Sequence, residues 1–189
     1  LPEFPGSPLT EPLRSPPNTW PENTLVPLQK ASHPRIGKAM HIKNHRLHTD
    51  DGNPVPWRPS PNTGGALSPT YLIMHYTAGS SAESSVAHLT KKSAKASAHL
   101  VIARDGSITQ LVPFNRVAWH AGKSRWQGLK GMNGHSIGIE LDNAGQLTGG
   151  PGHWKAWFGR SYDDADVVVA AHRFETEEKG WHRYTEAQL

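Results

Sequence analysis

The chain has 189 residues, with 20 Lys+Arg against 16 Asp+Glu, 12 histidines, 16 prolines and no cysteine. That length suffices for one domain with a real core, and the missing cysteine excludes disulfides and thiolate metal sites. A formal charge of +4 suits an anionic partner, but no dense Lys/Arg run and no basic–aromatic interleaving mark a nucleic-acid surface, and no apolar run approaches the ~20 residues of a membrane span.

Residues 1–39 read as a Pro-rich extension, linker or tag, because nine prolines fall within the first 35 positions without an amphipathic period. Residues 40–189 read as the folded part. "HIKNHRLH" (41–48) alternates and predicts a short strand. Its His41, His45 and His48 would share a face only on a helix, which Asn44 and Thr49 oppose, so a solvated segment is expected. "DDGNPVPWRPSPNTGG" (50–65) is turn after turn and reads as a surface loop. "TYLIMHY" (70–76) predicts a buried strand ending on His75. "SAESSVAHLTKK" (81–92) predicts a helix with Ser81 or Ala82 near its start, Glu83 in the first turn, and Val86 and Leu89 on one face.

"SAHLVIARDGSITQLVPF" (97–114) predicts two strands joined at Asp105-Gly106. "AWHAGKS" (118–124) reads as a loop presenting an aromatic residue, and "HSIGIELDN" (135–143) as another strand. "DDADVVVAAHRFETEEKG" (163–180) mixes a β-branched run with helical polar sequence, and helix and strand both stay open there. Residues 144–180, with Trp154, Trp157 and Trp181 in or beside them, are expected to wall a groove. "YTEAQL" (184–189) reads as a helix start capped by Thr185.

Two of these residues stand out on physical grounds. Glu140 sits inside "IGIEL" with apolar neighbours on both sides, which predicts a partly buried carboxylate with a raised pKa, suited to a general base, or else an ion pair with Lys or Arg. His75 at a strand end is either a core residue or a neutral imidazole ligand to a metal. His99 in "SAHLVI" reads as a core or supporting residue, and His172 and His182, in polar surroundings, as surface residues.

Four blocks in order, "MHYTAG", "SAHLVIARDGSITQLV", "AWHAGKS" and "NGHSIGIELDN", resemble the type 2 N-acetylmuramoyl-L-alanine amidases, which share a fold with peptidoglycan recognition proteins. The resemblance covers 71–143 and, more weakly, "GWHRYTEAQL". It implies an α/β fold: a central mixed β-sheet flanked by helices. It gives His75 to a zinc ion and Glu140 to the proton work on the attacking water, and it puts Trp119, His120 and Asn143 along the substrate groove. Ala98 stands where one branch of relatives carries a catalytic tyrosine, which places the chain with the glutamate-using enzymes. The implied reaction is zinc-dependent hydrolysis of the amide between N-acetylmuramic acid and L-alanine. The alternative is a non-catalytic peptidoglycan-binding module with an incomplete metal site. In the family two further zinc ligands and a lysine follow the "YTEAQL" helix. The expectation is therefore that the polypeptide continued past Leu189 or that a second chain carries that segment. Peptidoglycan or a muropeptide is the expected substrate, and a cell-envelope location, periplasmic or secreted, is expected ahead of the cytoplasm.

Overall fold

The computed structural model describes residues 40–171 and 176–189. Contacts divide the chain between Ile36 and Gly37, and every described residue lies in the second unit. The expectations for the Pro-rich segment and for His172 lie outside the described residues.

The described chain opens with a hairpin where one strand was expected. Strands β1 (Met40–Lys43) and β2 (Arg46–Thr49) pair antiparallel. Asn44 and His45 make the turn with φ of 50° and 62°, the left-handed conformation that two-residue hairpin turns require. His41 and His48 then stack across the pair, 5.4 Å between ring centres. The hairpin is fastened by Gln110, which has no exposed surface. Its Oε1 accepts from the Leu47 N–H (2.9 Å) and Arg46 Nε (3.0 Å), and its Nε2 donates to the carbonyls of His45 and Val112 (both 3.1 Å). A buried amide so fully engaged carries no desolvation debt.

The segment expected as a surface loop is exposed along most of its length but is pinned at a few points. Val55 and Asn62 are buried, and strand β3 (Thr63–Ala66) closes the segment. Ser60 Oγ donates to the Leu89 carbonyl (2.6 Å), and Asn62 Nδ2 donates to the carbonyls of Lys91 (2.8 Å) and Ala96 (2.9 Å). The Leu89 carbonyl belongs to the last turn of the helix, where carbonyls lack intrahelical partners, so Ser60 caps that end while Asn62 ties down the turn after it.

The remaining elements assemble around one mixed sheet. They are β4 (Tyr71–Tyr76), α1 (Ala82–Leu89), β5 (Leu100–Ile102), β6 (Ile108–Gln110), β7 (Arg116–Ala118), β8 (Arg125–Trp126), β9 (Leu129–Lys130) and β10 (Ser136–Leu141). The sheet runs β4-β10-β5-β6, with β10 parallel to both neighbours and β5-β6 an antiparallel hairpin around Asp105-Gly106. Strand β3 pairs with β7, and β8 with β9, outside it. Helix α1 starts where Ser81 Oγ accepts from the Ser84 N–H (3.1 Å).

Register sorts the sheet's two faces. Glu140 pairs with His75 on one side and Val101 on the other, so all three point the same way. Beyond Glu140 that face packs Val101 with Leu111, Val112 and Ala118 against Val86 of α1. The opposite face carries Leu100, Ile108 and Ile139 under Leu47, Val55 and Phe114. This cover stops short of β4, where Leu72, Met74 and Tyr76 remain 59%, 50% and 45% exposed. The strand "TYLIMHY" is therefore half-exposed among the described residues, not buried throughout. Its composition is apolar on both sides, which hides the alternation.

After β10 the chain makes a second small layer: β11 (Gln146–Leu147), β12 (Trp154–Lys155), β13 (Ser161–Tyr162), β14 (Val167–Ala171) and β15 (Glu178–His182). Strand β15 lies between β11 and β14, and β12 pairs with β13. Among its described residues the ambiguous stretch 163–180 is thus mostly strand, after a single turn at Asp164–Asp166. Its own core gathers Ala144, Leu147, Trp154, Ala156 and Val167. Gly180 allows the Trp154 ring to lie on β15, because a Cβ there would overlap the ring. The chain then forms a turn at Glu186–Gln188 capped by Thr185, as its sequence suggests. Gln188 Nε2 donates to the Asp142 carbonyl (2.9 Å), docking the turn against the end of β10. No helix among the described residues is long and apolar enough to cross a membrane.

Candidate active site

His75 and Glu140 come together because β4 and β10 are parallel neighbours in register. Glu140 lies largely within the protein, and its Oε2 is buried with no hydrogen-bond partner. Burial pushes its carboxyl up from 4.5 to about 7. An unpartnered buried carboxylate oxygen costs stability, and such costs concentrate where a group must be ready to take a proton. The expected alternative, an ion pair with Lys or Arg, does not form among the described residues.

The imidazole beside it is oriented by a chain of hydrogen bonds. Ser136 Oγ donates to the Met132 carbonyl (2.6 Å), which commits its proton. His120 Nε2 faces that same Oγ (3.3 Å) and the Ser136 carbonyl (3.4 Å), both acceptors, so Nε2 carries the His120 proton. Its Nδ1 is then an acceptor, and His75 Nε2–H donates to it at 3.0 Å. This leaves the lone pair of His75 Nδ1 for another partner. Burial lowers the pKa of both rings, that of His120 to about 4 with further depression from His75, so both are neutral at neutral pH. Fixing a ring's tautomer through its second nitrogen is how proteins prepare an imidazole to act as ligand or acceptor.

His120 reaches this position because β10 has no side chain at Gly138. A Cβ there would overlap the ring at Cγ, Nδ1 and Cδ2. The loop holding His120 is fixed by Asn133, whose Oδ1 accepts from the backbone N–H groups of His120 (3.0 Å) and Ala121 (2.7 Å). His99, fully buried, supports the strand from beneath: its Nδ1 accepts from the Gly138 N–H (3.0 Å) and its Nε2–H donates to the Arg116 carbonyl (3.0 Å). Both ring nitrogens are used inside the protein, so His99 is a supporting residue. Ala98 has no exposed surface.

The other expected site residues are placed differently. Trp119 is 38% exposed beside a hollow that it lines with Pro61, Asn62, Lys92 and Lys95. His120 lies under the site as the partner of His75 rather than along an open groove. Asn143 is 2% exposed; its Nδ2 donates to the His182 carbonyl (2.8 Å) and its Oδ1 accepts from the Gly145 N–H (2.8 Å). Its amide is spent holding the chain after β10. His182, expected at the surface, is buried, and its Nδ1 accepts from the Ala144 N–H (3.0 Å). Of the three tryptophans expected to wall a groove, Trp154 is buried with its indole N–H on Asp164 (2.8 Å), and Trp181 is partly buried with its N–H on the Ala170 carbonyl (3.0 Å). Only Trp157 stands out, 68% exposed. Gly138, Ser136 and Asn133 escaped the sequence reading, although a glycine within an apolar strand is a signal of close approach.

Among the described residues no three His, Cys, Asp or Glu side chains gather as a metal-binding group. His75 is the one placed candidate ligand, with its Nδ1 as donor.

Comparison with known proteins identifies the family. The family model for N-acetylmuramoyl-L-alanine amidase matches residues 65–189. The 1,6-anhydro-N-acetylmuramyl-L-alanine amidase AmpD of Escherichia coli is 49% identical over 63 residues, 33% of this chain and 32% of AmpD. The E. coli N-acetylmuramoyl-L-alanine amidase AmiD is 44% identical over 81 residues, 39% of this chain and 28% of AmiD. The matched stretches thus span about a third of these relatives' length. Among solved structures, a complex of AmiD with anhydro-N-acetylmuramic acid-L-Ala-D-gamma-Glu-L-Lys is similar at 31% identity and a TM-score of 0.38, covering 62% of this chain and 44% of that one. With the family model spanning 125 of the 189 residues (65 to 189 inclusive), the chain belongs to the type 2 N-acetylmuramoyl-L-alanine amidase family.

Proposed function

We propose that this chain carries the catalytic face of a zinc-dependent N-acetylmuramoyl-L-alanine amidase acting on peptidoglycan or its fragments. The observation that carries the reading is the unpartnered, buried Oε2 of Glu140 in register beside His75. Family membership supports the bond cut, the amide between the lactyl group of N-acetylmuramic acid and L-alanine. Zinc would be held in part by His75 Nδ1, and when bound it supplies Lewis acidity and a more acidic water. The described residues do not complete a three-ligand set.

Glu140 takes a proton from the attacking water as its oxygen bonds to the amide carbon. It returns that proton to the leaving nitrogen as the C–N bond breaks, giving a carboxylate and a free L-alanine amine. A carboxyl at about 7 is balanced for both transfers at neutral pH. His120 keeps His75 in one tautomer and one orientation.

The test is mass-spectrometric detection of free stem peptide from an N-acetylmuramoyl peptide incubated with the zinc-supplemented protein across pH 5–9. Cleavage is expected, with kcat/KM rising as pH increases towards about 7 and levelling above it, because Glu140 must be ionised to accept the proton. A profile with no inflection between pH 5 and 8 would remove Glu140 as the base. Binding without cleavage would favour a non-catalytic peptidoglycan-binding module. Zinc is tested separately: His75→Ala is expected to lose metal measured by atomic emission after dialysis, and unchanged stoichiometric zinc would return His75 to a structural role.

A further inference from the structure

The layer between Ala144 and His182 carries an aromatic side chain that its own packing does not use. Trp157 sits at the tip of the β12–β13 hairpin and is 68% exposed. The tip is well defined: the Ala156 N–H donates to the Arg160 carbonyl (2.8 Å), the Gly159 N–H to the Ala156 carbonyl (2.9 Å), and Gly159 takes a φ of 91°. Phe158 packs edge-on against the indole, 5.5 Å between centres, while itself packing against the layer's core. The indole N–H donates to the Ala78 carbonyl at 2.7 Å. Ala78 has a φ of 47°, an uncommon conformation for alanine, in the turn that follows His75.

These contacts locate the ring. Ala78 is three residues after His75, so their Cα atoms lie within about 11 Å. The indole is therefore fixed beside the site by one hydrogen bond and one edge contact, with most of its surface bare. A large exposed aromatic group held in place next to a site is a platform awaiting a flat, partly apolar ligand. Its single donor is already used, so it offers no polar handle to a peptide backbone, and being neutral it offers nothing specific to the carboxylates of a stem peptide. It does offer a face to the C–H side of a sugar ring.

We infer that Trp157 is the stacking platform for the saccharide of the substrate, and that it makes this chain select glycopeptides over amides lacking the sugar. The inference rests on the amidase reading for where the saccharide lies, since in that reaction the sugar is joined directly to the acyl side of the scissile bond. Trp157 is a specificity residue here, not a catalytic one.

Two measurements test it. The first follows the Trp157 indole N–H resonance, assigned by its absence in Trp157→Phe, while N-acetylmuramic acid alone is titrated into the full chain. A saturable shift is expected, and no shift overturns the proposal whether or not the protein is active. The second compares kcat/KM for an N-acetylmuramoyl peptide with that for a lactoyl peptide of the same sequence. Trp157→Ala is expected to lose about tenfold on the first, mainly in KM, and little on the second, while Trp157→Phe keeps most of the sugar preference. Equal losses on both substrates, or a Phe variant as poor as Ala on both, would make the Ala78 bond the whole role and overturn stacking. A sugar-induced shift without hydrolysis of either substrate would sink the amidase reading and leave the platform standing.

Discussion

Glu140→Gln is expected to lower turnover by about 10²-fold or more while leaving the fold intact. Gln fills the same volume beside His75 but cannot accept a proton from water. The variant also carries a stability signature that an inert surface substitution lacks. Burial raises the Glu140 carboxyl from 4.5 to about 7, so the folded state keeps this proton to a higher pH than the unfolded chain does. Between those values the folded state binds more protons, and wild-type stability falls as pH rises from 4.5 through 7. Glutamine has no such titration. Denaturation of the two proteins should therefore differ little through this group near pH 4.5 and favour the variant at pH 8. A fully active variant would remove Glu140 as the base, and a variant less stable than wild type at pH 8 would mean that the carboxylate is not held at a cost in the folded protein.

Gly138→Ala is expected to be nearly as damaging, though Gly138 touches no substrate in the mechanism. The added methyl group would occupy the place of the His120 ring. The ring cannot yield without giving up its contacts to Ser136 and His75. Overpacking of this kind costs about 1–3 kcal/mol, and the loss of His75's fixed tautomer should reduce turnover by at least about tenfold. The double variant Gly138→Ala/His120→Ala separates the two effects: removing the ring should recover much of the stability and none of the activity. A single variant as stable and active as wild type would show that His120 does not need its seat on β10.

How much of this was readable from the residues alone differs from element to element. The strands around Asp105-Gly106 and the strand "SIGIEL" are legible because turn chemistry and apolar runs are local signals. Helix α1 is legible for the same reason, from Ser81 to Leu89. The partial burial of Glu140 follows from its flanks. The register that sets Glu140 against His75 does not, since it depends on two strands 65 positions apart, Glu140 and His75 being its partners. Family resemblance gives each residue a role but not this register, which, like the histidine chain through His120 to Ser136, belongs to the tertiary structure. His182 looked like a surface residue because Trp181 and Arg183 say nothing of burial; in β15 it alternates inward with Gly180. Asn143 shows the opposite problem. Its neighbourhood in the sequence fits a groove, but its amide partners, Gly145 and the His182 carbonyl, appear only when the chain returns.

That return has an engineering consequence. The excursion begins at Asn143, two residues after β10 ends, and comes back at His182, and its two ends are hydrogen-bonded to each other: the His182 N–H to the Gly145 carbonyl (2.9 Å) and Asn143 Nδ2 to the His182 carbonyl (2.8 Å). The layer has its own apolar centre and meets the turn after His75 through the Trp157 indole. Closed at its base, the layer is also tied to the rest of the fold through Arg183, which donates to the carbonyls of Ala165, Asp166 and Val167. A short turn in its place is expected to keep the sheet only if Arg183 finds other acceptors, which a thermal denaturation of the shortened chain would read. Recognition and proton transfer could then be altered separately in one polypeptide.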